Sequence, residues 1–208
     1  MTSALIPLIG FCLVGCMPFA VFARGRANLR WLITATPFFA TAVILGAVVL
    51  GWISPDSGSA FGFRADGGVG LEGLVDGTLV EPFQTAVTTM LTLAAVLLIG
   101  AGARSHRRRP ALWHQGSAPA ALVTSGAYRY IRHPFYTAFV LLFGAAFIAA
   151  PSVWTLTTAV VGIAGLTVTA RGEERHLESV FGDSYRSFIA RTGRFFPRWR
   201  ALLVNRSE

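Results

Sequence analysis

The sequence predicts an all-α integral membrane protein with about five transmembrane helices, a C-terminal helical hairpin and a cytoplasmic C-terminal tail. Of its 208 residues, 53% are hydrophobic and only 13% are charged, about half the roughly 25% found in soluble domains. The apolar residues gather into runs close to the roughly 20 residues that cross a bilayer. A net charge of +8 is typical of nucleic-acid binding, but long apolar runs between the arginines argue against that partner.

Five uncharged segments account for the predicted spans, and they are residues 3–22, 31–53, 82–103, 134–150 and 152–170. The first segment lacks the basic start and the small-residue cleavage site of a signal peptide, so we expect it to be retained. Only Pro151 separates the last two segments, which predicts a tight helical hairpin. Cys12 and Cys16 lie inside the first segment and form neither a disulfide framework nor a metal site.

The distribution of arginine predicts the orientation. All 18 basic residues are arginines, and five helices place 17 of them on one side of the membrane. The positive-inside rule makes that side cytoplasmic and the N-terminus external. We expect a multi-pass protein of a bacterial plasma membrane, with anionic lipids as partners of its arginines. The glycine-rich segment 54–81 is expected to be an external connector.

A first polar cluster, residues 124–136, precedes the fourth span. Pro134 favours a helix start, where free amides and the helix dipole suit an anion. Arg129 and Arg132 add guanidinium groups suited to carboxylate or phosphate. Aromatic rings that could stack on a purine or cover a cation come from Tyr128, Tyr130 and Tyr136. Any single one of these residues also fits an interfacial aromatic belt.

A second polar cluster, residues 171–185, follows the fifth span. Glu173 and Glu174 lie beside Arg171 and Arg175, which is also the pattern of a solvated ion-pair network. We predict that Glu173 and Glu174 lie at the cytoplasmic end of this helix, where acids oppose the helix dipole and so indicate a ligand or a partner. The two ends of a hairpin meet, so the two clusters should share one membrane face. No metal site is predicted, because no liganding spacing is present.

The two clusters together carry a resemblance. The run G-A-Y-R-Y-I-R-H-P-F-Y, residues 126–136, resembles the G-P-Y-R-Y-x-R-H-P-x-Y signature of the isoprenylcysteine carboxyl methyltransferase and phospholipid methyltransferase family of integral-membrane methyltransferases. The second cluster is similar to that family's E-E-x-x-L-x-x-x-F-G-x-x-Y tail. The chain departs from the family pattern at Ala127, Phe188 and Thr192-Gly193, which leaves the substrate open.

The resemblance implies S-adenosylmethionine as methyl donor and a lipophilic acceptor that enters from the bilayer. It divides the chain into an N-terminal three-helix transmembrane region, 1–110, and a C-terminal catalytic region, 111–208. Arg171 and Glu174 are implied around the reacting groups, with Glu174 as the candidate base for an amine acceptor. The implied cofactor-binding residues are Tyr128, Arg129, Tyr130, Arg132, His133, Pro134, Tyr136, Glu173, Glu174 and Tyr185.

Two alternatives remain open at this point. Sterol-reductase-like membrane enzymes share a similar R-H-P-x-Y motif but use NADPH. A non-enzymatic lipid-binding scaffold explains the arginine clusters but not the two paired motifs. The acceptor, carboxylate or amine, and the oligomeric state are also open.

Overall fold

The computed structural model describes residues 2–22, 29–53, 77–105 and 121–198. In these ranges the chain forms six α-helices and a short 3₁₀ turn over Gly126–Arg129. The helices are α1 (Thr2–Phe22), α2 (Leu29–Val49), α3 (Gly77–Ser105), α4 (Pro134–Ala149), α5 (Val153–Phe181) and α6 (Asp183–Arg191). The all-α prediction is confirmed for this part of the chain. Of the predicted connector 54–81, residues 54–76 lie outside the described residues, as does much of the arginine-rich sequence, and residues 77–81 belong to α3.

Two helices within the described ranges are long and apolar enough to cross a membrane, Glu81–Ser105 and Val153–Phe181. Three shorter apolar stretches coincide with the other predicted spans, namely Ser3–Val14, Ala35–Val49 and Pro134–Ala149. The number of five transmembrane helices and the sides on which the termini lie stay predictions.

Helix α4 lies at the centre of the bundle, in contact with α1, α2, α3 and α5. Small residues allow this close packing. A Cβ on Gly162 of α5 would lie 2.4 Å from the ring of Phe143, and one on Gly10 of α1 would lie 2.7 Å from Thr92 and 2.9 Å from Leu142. Helices in a membrane approach closely where such residues occur, because dispersion contacts between their backbones drive association.

The α4–α5 turn, residues 148–155, is held by neutral hydrogen bonds. The Ser152 hydroxyl accepts from the Thr155 amide at 3.2 Å, and Thr155 Oγ1 accepts from the Ser152 amide at 3.1 Å, which forms a capping box. The last carbonyl groups of α4 accept bonds from Ser3, Gln84 and Thr155. The helix end therefore has the internal partners that a bilayer cannot supply. The predicted hairpin is confirmed.

Helix α5 continues to Phe181, and the predicted helix end at Glu173 and Glu174 is wrong. Residues 171–181 are mostly good helix formers, so the helix extends through the second polar cluster. Gly182 then ends it with a φ of 53°, a conformation that favours glycine. Glu173 and Glu174 are thus internal to the helix, and the argument that they oppose its terminal dipole does not hold.

Candidate active site

The two polar clusters meet where α4 begins and α5 leaves the apolar core. Pro134 starts α4, as predicted, and His133 is its N-cap residue. His133 Nε2 lies 3.3 Å from Glu174 Oε1, although the residues are 41 positions apart. Tyr136 donates its hydroxyl to Glu173 Oε1 at 2.5 Å across 37 positions. The expectation that the hairpin brings both motifs to one place is confirmed.

Glu174 is buried and held by the side chains of two arginines and a histidine. Arg132 Nε donates to Oε1 at 2.9 Å, and Arg194 Nη2 donates to Oε2 at 2.6 Å. His133 approaches Oε1 as described above. Arg132 also donates Nη1 to the Thr192 carbonyl oxygen at 2.6 Å, so its charge is tied to the backbone as well. A buried charge is tolerated when it is paired and hydrogen-bonded, and Glu174 meets both conditions.

Glu173 faces a more open and aromatic surrounding. Its side chain is 19% exposed, and its Oε2 lies 3.5 Å from His133 Nδ1. The His133 and Tyr136 rings stack with centroids 5.3 Å apart and planes 8° apart. Burial, and then the negative charge of Glu173, raise the pKa of Tyr128, which keeps this phenol protonated. Glu173 is therefore a carboxylate bordered by aromatic rings at the edge of the site.

His133 lies between the two carboxylates. Burial alone lowers the pKa of His133, but its hydrogen bonds to Glu173 and Glu174 outweigh burial and raise that pKa above 6.5. The charged imidazolium is thus favoured. Tyr185 of α6 is buried, and its hydroxyl has no hydrogen-bond partner among the residues that the structure describes. Burial and the charge of Glu174 raise the pKa of Tyr185.

Other candidate residues point away from this cluster. Arg129 and Tyr130 are exposed, with the guanidinium 5.9 Å from the tyrosine ring centroid. Arg171 and Arg175 are also exposed, and Arg175 Nε donates to the Arg171 carbonyl oxygen at 3.3 Å. Arg171 and Glu173 are roughly 200° apart around the helix, so they face different sides. Pro134 is buried and shapes the start of α4.

A segment that sequence reasoning missed completes the cluster. Residues 192–195, hereafter the strap, run past the start of α4. Gly193 donates its amide to the Tyr130 carbonyl oxygen at 3.1 Å and accepts from the Arg132 amide at 2.8 Å. The His133 amide donates to the Arg194 carbonyl oxygen at 3.2 Å. The helix end that was expected to bind an anion is therefore approached by carbonyl oxygens of the strap.

Residues of the strap show no helical periodicity, so the sequence did not predict where this segment lies. Its Thr192 and Gly193 were noticed only as a departure from the family sequence. One signal could have found Arg194. A buried acid needs cationic partners, and Arg194 is one of the arginines in the tail that could supply one.

The comparisons with known proteins give one match. A model of the phospholipid methyltransferase family matches residues 84–184. The matched segment includes most of α3, the whole hairpin, the first polar cluster and the second up to residue 184, and it ends before the strap. No curated protein matches the chain, and no solved structure does.

Proposed function

Because a model of the phospholipid methyltransferase family matches residues 84–184, we propose that this chain is an integral-membrane, S-adenosylmethionine-dependent methyltransferase of that family. The family indicates a membrane methyltransferase acting on lipids or related substrates. The observation that carries the finer proposal is the meeting of His133, Tyr136, Glu173 and Glu174 in the matched segment. We further propose that the site opens on the cytoplasmic face of the membrane.

The donor set at this site fits S-adenosylmethionine. Glu173 offers a carboxylate that can accept from an amino group or from ribose hydroxyls. Tyr128 is partly exposed and offers a ring to a purine or to a positively charged sulfur, while Tyr136, stacked on His133, supports Glu173. When bound, S-adenosylmethionine supplies a methyl group on that sulfur, and transfer to an acceptor oxygen or nitrogen leaves a neutral thioether.

The contacts of Glu173 and Glu174 differ, and they indicate a different role for each acid. Both oxygens of Glu174 are taken by cationic partners, which suits a residue that positions the site. Glu173 is the more exposed carboxylate and the better candidate to touch the donor. His133 and Tyr136 flank Glu173 and hold its carboxylate. Methyl transfer depends mainly on alignment of the reacting atoms, and such a preorganised set supplies it.

The acceptor in this proposal is a lipophilic molecule that reaches the site from the bilayer. A carboxylate acceptor is already ionised at pH 7 and needs no base. An amine must first lose a proton, and Glu174 is poorly suited to take it while Arg132, Arg194 and His133 hold its oxygens. Arg171 and Arg175, exposed on the other side of α5, suit the phosphates of anionic lipids.

The experiment is methyl transfer by the purified full chain in lipid nanodiscs. S-adenosylmethionine labelled in its methyl group is incubated with extracts of membrane lipids and apolar acids, and labelled products are identified by mass spectrometry. A product whose label is released by mild alkali is a methyl ester, whereas a stable label indicates N-methylation. Binding of labelled NADPH without binding of S-adenosylmethionine would favour a reductase and contradict the proposal.

A matched pair of variants tests the site. Glu173→Gln removes a charge from the aromatic-lined carboxylate, and Glu178→Gln removes one from an exposed ion pair with Arg186 on the same helix. We expect the first to reduce methyl transfer by about 100-fold, as loss of a positioned contact does, and the second to leave it unchanged. Equal activity of both variants would exclude Glu173 from the site.

A further inference from the structure

The strap lies beyond the segment that the family match covers, yet it contacts both motifs of the site. We propose that Arg194 is a positioning residue, which orients His133 through Glu174 and so makes the strap a part of the cofactor-binding site. This inference rests on the proposed function, which it extends to a residue outside the two motifs.

The geometry of the ion pair supports this role. Arg194 Nε lies 3.1 Å from each oxygen of Glu174, and Nη2 lies 2.6 Å from Oε2. A planar guanidinium that reaches both oxygens fixes the orientation of a carboxylate, which a point charge does not. Arg132 and His133 also contact Glu174, and both do so at Oε1. The rotation of the Glu174 carboxylate, and hence its bond to His133, is set by Arg194.

The strap is itself fixed, so Arg194 has a rigid base. Besides the backbone bonds to residues 130–133, Thr137 Oγ1 donates to the Phe195 carbonyl oxygen at 2.8 Å. The Thr192 hydroxyl is buried and donates to the Phe188 carbonyl oxygen at 2.6 Å, which ties the strap to α6. A Cβ on Gly193 would lie 1.6 Å from the Phe196 carbonyl oxygen, so only glycine fits there.

The charges around His133 predict how it responds to the loss of Arg194. The imidazole of His133 faces Glu173 and Glu174 of α5, the ring of Tyr136 of α4 and the ring of Phe195 of the strap. Arg132 and Arg194 act on the imidazole through Glu174. The remaining titratable groups near these carboxylates are Tyr128 of the 3₁₀ turn and Tyr185 of α6. Removing the Arg194 charge leaves the same carboxylates with one cation fewer. Protonation of His133 therefore becomes more favourable.

The test compares Arg194→Gln, Arg194→Lys and Arg198→Gln with the unaltered chain, each as the full protein in nanodiscs. Arg198 is exposed on the same tail segment and donates to the Ala190 carbonyl oxygen, so its variant matches the charge change. Two quantities are measured. The titration midpoint of His133 is followed by NMR after histidine labelling, with His133→Gln used to assign its signal among the four histidines. The Kd for S-adenosylmethionine is measured on the same samples.

We expect Arg194→Gln to raise the His133 midpoint by at least about 0.5 pH unit and to weaken donor binding about 10-fold. Arg194→Lys keeps the charge without the planar fork, so we expect an unchanged midpoint and binding about 3-fold weaker. If Arg194→Gln does not fold, Arg194→Lys is the variant on which the two quantities are measured. Arg198→Gln should behave like the unaltered protein.

Three outcomes would overturn the proposal. They are an unmoved midpoint in Arg194→Gln, a moved midpoint with unchanged donor binding, and equal effects of Arg194→Gln and Arg198→Gln. A lower yield of folded protein with both quantities unchanged belongs to the first of these and indicates a merely structural role. If the unaltered protein binds no S-adenosylmethionine, the proposed function fails, and the His133 titration alone decides whether Arg194 acts on that residue.

Discussion

The two ends of the α4–α5 hairpin are held by different chemistry. At the turn, Ser152 and Thr155 cap one helix while Ser3 and Gln84 bond to the end of the other. At the opposite end, a buried carboxylate, Glu174, is surrounded by arginine and histidine. Both ends join distant parts of the chain, but only the second does so with charges.

This difference indicates that the neutral end stabilises the fold, whereas the charged end serves a function. Neutral hydrogen bonds satisfy the polar groups at helix ends, and the loss of one such bond lowers the free energy of unfolding by only about 1 kcal/mol. Buried ion pairs are costly to desolvate and contribute little net stability over a well-packed apolar core. A charged cluster where neutral bonds would hold the helices together indicates a function for those charges.

The largest effect is expected from Glu174→Ala. The change leaves Arg132 and His133 buried without their shared partner, which costs about 3–5 kcal/mol of unfolding free energy. It should also abolish methyl transfer, as should His133→Ala, while the protein remains inserted in the membrane. Denaturant unfolding in detergent and methyl transfer in nanodiscs measure the two losses. Full activity in both variants would remove the charged end from the site.

Gly193→Ala is expected to have the next largest effect. An added Cβ would overlap the Phe196 carbonyl oxygen, so the strap must move away from α4. We expect a loss of about 1–3 kcal/mol, typical of overpacking, together with weaker donor binding. Gly165→Ala is a matched control, because a Cβ there meets nothing within 4 Å. Comparable losses in the two variants would contradict the close fit of the strap.

Ser152→Ala tests the neutral end. Loss of this cap should cost about 1 kcal/mol of unfolding free energy and leave the Kd for S-adenosylmethionine unchanged, since Ser152 belongs to the turn and not to the charged end. Thermal unfolding and donor binding on one preparation test both statements. A large change in donor binding would show that the two ends are coupled and would contradict their separate roles.

The smallest effect is a pH dependence of stability. The folded pKa of His133 is raised above its unfolded value of about 6.5. Its contribution to stability is therefore complete below that value and is lost as the pH rises through the folded pKa. We expect the unfolding free energy to fall across this window in the unaltered protein and in Ser152→Ala, and the fall to be smaller in His133→Gln. The same slope in His133→Gln would assign the pH dependence to another group.

The sequence predicted the parts of the site that follow from helix periodicity. Pro134 marks the start of α4 and Pro151 the turn, so the meeting of His133 with Glu174 could be expected from hairpin geometry. It did not predict the extension of α5 to Phe181, because charged residues continue a helix as well as they end a membrane span. Nor did it predict Arg194, whose place depends on backbone bonds of an irregular segment.

The most direct test of the central claim is the location of bound donor. S-adenosylmethionine is crosslinked to the protein by ultraviolet light, and the labelled peptides are identified by mass spectrometry. We expect labels within residues 128–136 and 171–178, with loss of labelling in Glu173→Gln and retention in Glu178→Gln. Labels confined to residues 35–53 or 148–155, unchanged in Glu173→Gln, would contradict it.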